Sequence, residues 1–183
     1  MKLILLPGMD GTGTLFERLI AALPTSISQQ VISYNDAPSQ DYDALSAFVM
    51  ARLPTREPFV LLGESFSGPI AVRVAAESTR CRGVVLAASF VRAPVALPRW
   101  VTRLASPLKY IKAPDVAARA FLLNGNDDST VEAELAATLK RVPAKVIAAR
   151  MASIMTVDAR DALTRLSVPL LYIRAECDRL VGA

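Results

Sequence analysis

The stretch PFVLLGESFSG at residues 58–68 constrains the fold of this chain more than any other segment. The bulky apolar residues at 59–62 predict a buried strand. A helix is predicted over 69–77, where Pro69 is tolerated because it falls in the first turn. A strand that enters a helix through so short a connection needs a sharp turn with small residues around it. The segment therefore predicts a strand, a tight turn centred on Ser65 and a helix.

The same order of strand and helix repeats along the first half of the chain. Apolar residues at helical spacing predict helices over 14–23 and 42–53. Further short apolar runs predict strands at residues 3–6, 31–34, 83–89 and 168–174. Repeated β-α units with buried strands indicate an α/β fold with a mostly parallel, doubly wound sheet. The composition, 52% hydrophobic, suits strands that are buried on both faces.

A long helical segment interrupts this pattern between the fourth and fifth predicted strands. We expect residues 1–90 and 168–183 to form the core of a single domain, and residues 91–167 to form a helical lid. Helices are predicted within this segment over 116–123, 130–139 and 144–154. Its apolar residues suggest a pocket for a hydrophobic group, although such stripes also pack as ordinary core; they are Leu97, Trp100, Val101, Leu104, Phe121, Leu122 and Leu123.

Ser65 has the surroundings of a catalytic nucleophile. Gly63 lies two residues before it, and Ser67 and Gly68 follow, so the helix can come close to the strand. The helix N-terminus would also direct N–H groups at a developing negative charge. The alternative is a serine that only caps the helix, which is a common role.

A second glycine-containing loop, LPGMDGTG at residues 6–13, follows the first strand. An acyl-transfer site needs two backbone N–H donors for its oxyanion, one after the nucleophile and one from an earlier loop. Phe66 would supply the first, and Met9 (or Asp10) the second. A nucleotide loop followed by the acidic Asp36 is the alternative, but the glycine spacing is G-x-x-G-x-G and no G-K-[ST] occurs.

The segments LLPGMDGTG, GESFSG and LYIRAECDRLV, in this order, resemble the α/β-hydrolase fold, and more narrowly small bacterial serine esterase-like hydrolases with an LPG-x-D-G-T-G loop. The resemblance implies a sheet that begins at the family's third strand and a lid in the place of the helical segment. It also implies Ser65 as nucleophile, the Met9 and Phe66 backbones as oxyanion hole and Asp178 as triad acid, with Glu176 as the alternative acid. No cofactor or metal is expected.

The chain contains no histidine, although such enzymes use one as the base that takes the serine proton. We expect an incomplete form of a longer hydrolase that lacks this base, with weak or no activity. A non-catalytic binding protein of the same fold and a non-histidine base are the alternatives. Acyl transfer to an alcohol instead of water would use the same nucleophile.

Charge and cysteine content set the remaining expectations. The net charge is +4, but the basic residues are scattered, and the densest group (92–112) is interpreted as a solvated helix face, so no nucleic-acid partner is predicted. Cys81 and Cys177 fit no metal or redox spacing. No apolar run could span a bilayer. A cytoplasmic enzyme with a small hydrophobic ester substrate is expected.

Overall fold

The computed structural model describes residues 1–94 and 129–174. Within these residues, five parallel strands form one sheet in the order β2-β1-β3-β4-β5. The strands are β1 (Lys2–Leu6), β2 (Ser28–Val31), β3 (Phe59–Glu64), β4 (Cys81–Ala87) and β5 (Leu170–Ile173). The helices are α1 (Glu17–Ala22), α2 (Tyr42–Met50), α3 (Gly68–Glu77), α4 (Ser129–Arg141), α5 (Ala144–Ile154) and α6 (Arg160–Thr164). The predicted parallel α/β sheet is confirmed.

Both faces of the central strands are buried, which explains their continuous apolar sequences. Along β1, Ile4 and Leu6 lie in the main core, together with residues of α2 and α3. Leu5, between them, packs with Phe16 and Leu62 in a smaller cluster on the other face. Successive side chains of a strand point to opposite faces, so each apolar residue contacts one of two helical layers.

The second strand lies three residues earlier than predicted. The apolar run VISY at 31–34 was the expected strand, whereas β2 comprises Ser28–Val31. β2 is an edge strand that pairs only with β1. Its backbone can therefore bond to the sheet although its side chains are mostly polar and none of them is fully buried. Ile32 and Tyr34, beyond its end, are buried in the main core instead.

The described part of the predicted lid packs against this core. α4 and α5 agree with the helices predicted over 130–139 and 144–154, whereas α6 was not predicted. Ile154, Val157 and Ala162 belong to the main core. The helix predicted over 116–123 and the seven apolar residues proposed for a pocket lie outside the described residues. In the parts of the chain that the structure describes, no helix is long and apolar enough to cross a membrane.

Candidate active site

The turn after β3 has the backbone conformation of a nucleophile elbow. Ser65 has a φ of 47°, in the left-handed region that residues with side chains rarely adopt. One turn of 3-10 helix over Ser65–Ser67 leads directly into α3. A Cβ on Gly63 would lie 2.8 Å from the Ser67 carbonyl oxygen and 2.9 Å from the Cβ of Ala71. Glycine at this position therefore allows the close approach of helix and strand.

A second close approach occurs at the first residue of α3. A Cβ on Gly68 would overlap the hydroxyl of Ser89 and lie 2.5 Å from the Phe90 carbonyl oxygen. Ser67, whose small size was expected to matter here, is fully buried. The tightest packing against the next loop is thus at Gly68, one residue later.

The peptide group between Ser65 and Phe66 is held in one orientation. The Ser89 hydroxyl donates to the Ser65 carbonyl oxygen over 2.5 Å. Because the N–H and C=O of a trans peptide point in opposite directions, the Phe66 N–H points away from Ser89. The Tyr42 hydroxyl, in turn, donates to the Phe66 carbonyl oxygen over 3.0 Å. Two side chains from other elements therefore fix the backbone around the predicted Phe66 donor.

The loop after β1 folds back on itself. The Gly11 N–H donates to the Gly8 carbonyl oxygen over 3.1 Å. The buried carboxylate of Asp10 accepts hydrogen bonds from the Thr12 N–H at 2.7 Å and the Gly13 N–H at 3.3 Å. This arrangement explains the D-G-T-G part of the motif, since the Asp10 side chain caps the turn that precedes α1.

Direct hydrogen bonds connect this loop to the elbow. The buried Ser67 hydroxyl donates to the Pro7 carbonyl oxygen, and it also bonds to the Tyr34 hydroxyl over 2.5 Å. The Gly8 N–H donates to the Glu64 carboxylate over 2.9 Å. The structure therefore places the loop that contains Met9 next to the Ser65–Phe66 turn.

Glu64 is the titratable group at this junction. Burial, together with the nearby charge of Asp10, raises the pKa of its carboxyl to about 7, against the opposing hydrogen bond from the Gly8 N–H. The carboxyl is thus poised to lose its proton near neutral pH. Burial also raises the pKa of Tyr34, whose phenol therefore stays neutral and able to donate.

Several residues around the site were missed by sequence reasoning. Ser89 follows β4, and a polar residue at the carboxyl end of a strand next to β3 is the signal that could have identified it. Tyr42 and Arg150 carry no such signal, because each lies on a helix and reaches the site only through the fold. The predicted acid Asp178 and its alternative Glu176 lie outside the described residues.

The glycine-rich loop is poorly suited to a nucleotide phosphate. A phosphate at such a turn would need free N–H groups. The N–H groups of Thr12 and Gly13 already donate to Asp10, and the Asp36 side chain lies on an exposed turn. Within residues 1–94 and 129–174, no group of metal-binding side chains occurs.

Comparison with solved structures agrees with this fold. An esterase from Exiguobacterium antarcticum superposes with a TM-score of 0.77 at 16% identity, over 100% of this chain and 76% of that one. The enol-lactonase from Burkholderia xenovorans LB400 has a TM-score of 0.77 at 18% identity, over 98% and 74%. A bromoperoxidase from Bacillus anthracis has a TM-score of 0.76 at 16% identity, over 99% and 75%.

Sequence comparison identifies the family directly. No curated protein sequence matches the chain significantly. A family model described as "Serine aminopeptidase, S33" matches residues 29–183, which include the elbow and most of the sheet. The chain therefore belongs to the S33 serine aminopeptidase family of α/β hydrolases.

Proposed function

We propose that this chain carries the nucleophile and oxyanion hole of a serine hydrolase that cleaves a carboxylic ester through an acyl-enzyme on Ser65. The observation that carries the proposal is the left-handed φ of 47° at Ser65, at the turn from β3 to α3. A capping serine needs no such conformation, since N-caps adopt an extended backbone. The strained backbone conformation at Ser65 is explained if the turn presents the serine hydroxyl to a substrate.

The proposed chemistry follows from the groups around Ser65. Its Oγ attacks the ester carbonyl carbon, and the carbonyl oxygen becomes an oxyanion that accepts hydrogen bonds from the Met9 and Phe66 N–H groups. Collapse of this intermediate expels the alcohol and leaves the acyl group on Ser65. Water then releases the acid. The apolar residues between 97 and 123 favour a small hydrophobic ester as substrate.

The serine proton has no histidine to accept it, because the 183 residues contain none. Asp178, proposed as the triad acid, would orient such a base. Without the base, Ser65 remains a weak nucleophile, and only the catalysis due to the oxyanion hole and binding is left, about 10³–10⁴-fold over water. We therefore expect slow reaction with activated esters, whose leaving group needs no proton, and none with amides.

The test is the release of p-nitrophenolate from p-nitrophenyl butyrate. The chain should react slowly, and Ser65→Ala should lower the rate, because the acyl acceptor is gone and only attack by water at the oxyanion hole remains. Ser26→Ala, which removes a serine in an exposed turn, should leave the rate unchanged. A rate that Ser65→Ala does not alter would overturn the proposal, and absence of reaction would favour a non-catalytic binding protein.

A further inference from the structure

One buried arginine lies against both residues proposed to supply the oxyanion hole. Arg150, on α5, is 1% exposed. Its Nη1 donates to the Met9 carbonyl oxygen over 2.6 Å. Its guanidinium carbon lies 5.9 Å from the centre of the Phe66 ring, within the range of a cation–π contact. A single side chain from α5 thus contacts Met9 and Phe66 together.

The guanidinium is oriented by a neutral partner. Its Nε and Nη2 both donate to the side-chain oxygen of Gln40, over 2.9 Å and 2.7 Å. None of the ion pairs found in residues 1–94 and 129–174 involves Arg150. A buried charge is costly unless its donors are satisfied, and here they are satisfied by Gln40 and by the Met9 carbonyl rather than by a carboxylate. Packing alone would be served by an apolar side chain.

The bond from Arg150 fixes the peptide between Met9 and Asp10, which adjoins the peptide that carries the Met9 N–H. The Met9 carbonyl is held by the guanidinium, and the preceding Gly8 carbonyl is held by the Gly11 N–H at 3.1 Å. The Met9 N–H lies between these two carbonyls, and in the described part of the chain it donates to no protein acceptor. With both carbonyls engaged, neither peptide can rotate to direct an oxygen at Ser65.

The shape of the loop also depends on the guanidinium. Gly11 has a φ of 66°, and a Cβ there would lie 2.6 Å from the guanidinium carbon of Arg150. On the other side, the Gly11 carbonyl oxygen accepts from the Tyr34 N–H at 2.8 Å and the Ser33 hydroxyl at 3.1 Å. The loop is therefore clamped between Arg150 and the segment that follows β2.

We propose that Arg150 is a positioning residue of the oxyanion hole. It does not contact the substrate; oriented by Gln40, it holds the Met9 carbonyl so that the neighbouring N–H stays available to the oxyanion. The inference rests on the proposed function of Ser65. Its consequence is that Arg150 matters for reactions that pass through an oxyanion and not for the exposure or reactivity of the nucleophile.

The experiment uses Ser65→Cys in the 183-residue chain, because a thiol is nucleophilic without a histidine base. With p-nitrophenyl butyrate, the thiolate attacks the carbonyl and expels p-nitrophenolate, leaving a thioester. With iodoacetamide, the same thiolate displaces iodide at a saturated carbon, and no oxyanion forms. Mass spectrometry of the peptide that contains residue 65 measures both rates separately from Cys81 and Cys177.

Adding Arg150→Gln should slow acylation about 10²-fold, the loss expected when one oxyanion donor is removed, and leave alkylation unchanged. Gln40→Ala, which keeps the arginine but removes its orienting partner, should slow acylation less and also spare alkylation. Arg52→Gln is the matched control, since Arg52 also bonds a carbonyl and stacks on a phenyl ring, but on the far end of α2. It should change neither rate.

The experiment distinguishes a failure of the Arg150 inference from a failure of the proposed function of Ser65. Equal slowing of acylation and alkylation by Arg150→Gln would show a general structural role and overturn the inference, as would no change in either rate. If Ser65→Cys is acylated no faster than a cysteine in an unstructured peptide, the proposed function fails, and the inference falls with it. Far-UV circular dichroism identifies a variant that has not folded. If Arg150→Gln has not folded, Gln40→Ala tests the inference: slower acylation with unchanged alkylation supports it, and equal slowing of both or no change in either overturns it.

Discussion

At the scale of single residues, Glu64 places an ionisable group against the loop that holds Met9. Its carboxylate accepts the Gly8 N–H, and a Cβ on Gly8 would lie 2.8 Å from its Oε2. A negative charge so close to the proposed oxyanion hole would oppose the charge that develops in the proposed reaction. The ionisation of Glu64 therefore affects the stability of the fold, and in the proposed reaction it would also affect the rate.

The raised pKa of Glu64 predicts a specific dependence of stability on pH. The pKa of the Glu64 carboxyl is about 7 in the folded chain, whereas the ordinary value for a glutamate, which applies to the unfolded chain, is 4.5. Between these values the folded state binds the proton more tightly than the unfolded state, so the free energy of unfolding falls as pH rises, by about 3 kcal/mol in total. This contribution is fully present below pH 4.5 and lost above pH 7.

Urea unfolding at a series of pH values measures this effect. Glu64→Gln, which stays neutral, serves as the comparison, because all other titrating groups are shared by the two chains. The variant should become more stable relative to the parent chain as pH rises from 5 to 8, the range around the folded pKa of about 7. Parallel pH profiles for the two chains would contradict the assignment.

The residues of the site divide into those that local sequence predicts and those that it does not. Gly63, Ser65 and Phe66 lie within one turn, so their arrangement is a local property of the backbone. Ser89 is 24 residues from its partner Ser65, and Arg150 is 141 residues from Met9. Such pairs depend on the packing of distant elements, which residue spacing does not specify.

At the scale of elements, the Ser67 hydroxyl connects three parts of the fold. It lies at the start of α3, donates to Pro7 after β1 and bonds to Tyr34 after β2. The commonest elbow pattern has glycine at this position, and the only expectation for Ser67 was that its side chain is small enough to let the helix come close to the strand. The structure shows instead that its hydroxyl satisfies a buried carbonyl and a buried phenol.

Ser67→Ala should therefore lower the free energy of unfolding by about 2 kcal/mol, because it leaves the Pro7 carbonyl and the Tyr34 hydroxyl without this partner in the core. Urea unfolding provides the measurement. Ser46→Ala is the control: its hydroxyl bonds the Tyr42 carbonyl within α2, in a half-buried position, and should change stability by less than about 0.5 kcal/mol. An unchanged midpoint for Ser67→Ala would refute the role.

The elements themselves were predicted well where their sequences are apolar. The four apolar strands lie within two residues of the predicted positions. Burial on both faces requires the apolar runs of β1, β3 and β4, whereas the apolar residues of β5, at the end of the described sheet, are exposed. β2 was misplaced because an edge strand is specified by backbone pairing with β1, and its polar residues carry no hydrophobic pattern. α6 is only one turn and a half long and lacks a clear period.

At the scale of the whole molecule, the sheet topology brings the site together. β1 lies between β2 and β3, so the chain passes from β2 on one side of β1 to β3 on the other. Loops at the carboxyl ends of neighbouring parallel strands meet at such a switch point. The loops after β1, β3 and β4 supply Met9, Ser65 and Ser89, and α5 adds Arg150 from one side.

The most direct test of the central claim is the location of an acyl group after reaction with p-nitrophenyl butyrate. Mass spectrometry of proteolytic peptides should place a single butyryl group on the peptide that contains Ser65. The group should persist, because the chain has no histidine to activate the water that would remove it. Butyryl groups spread over surface lysines and serines, with none on Ser65, would contradict the account.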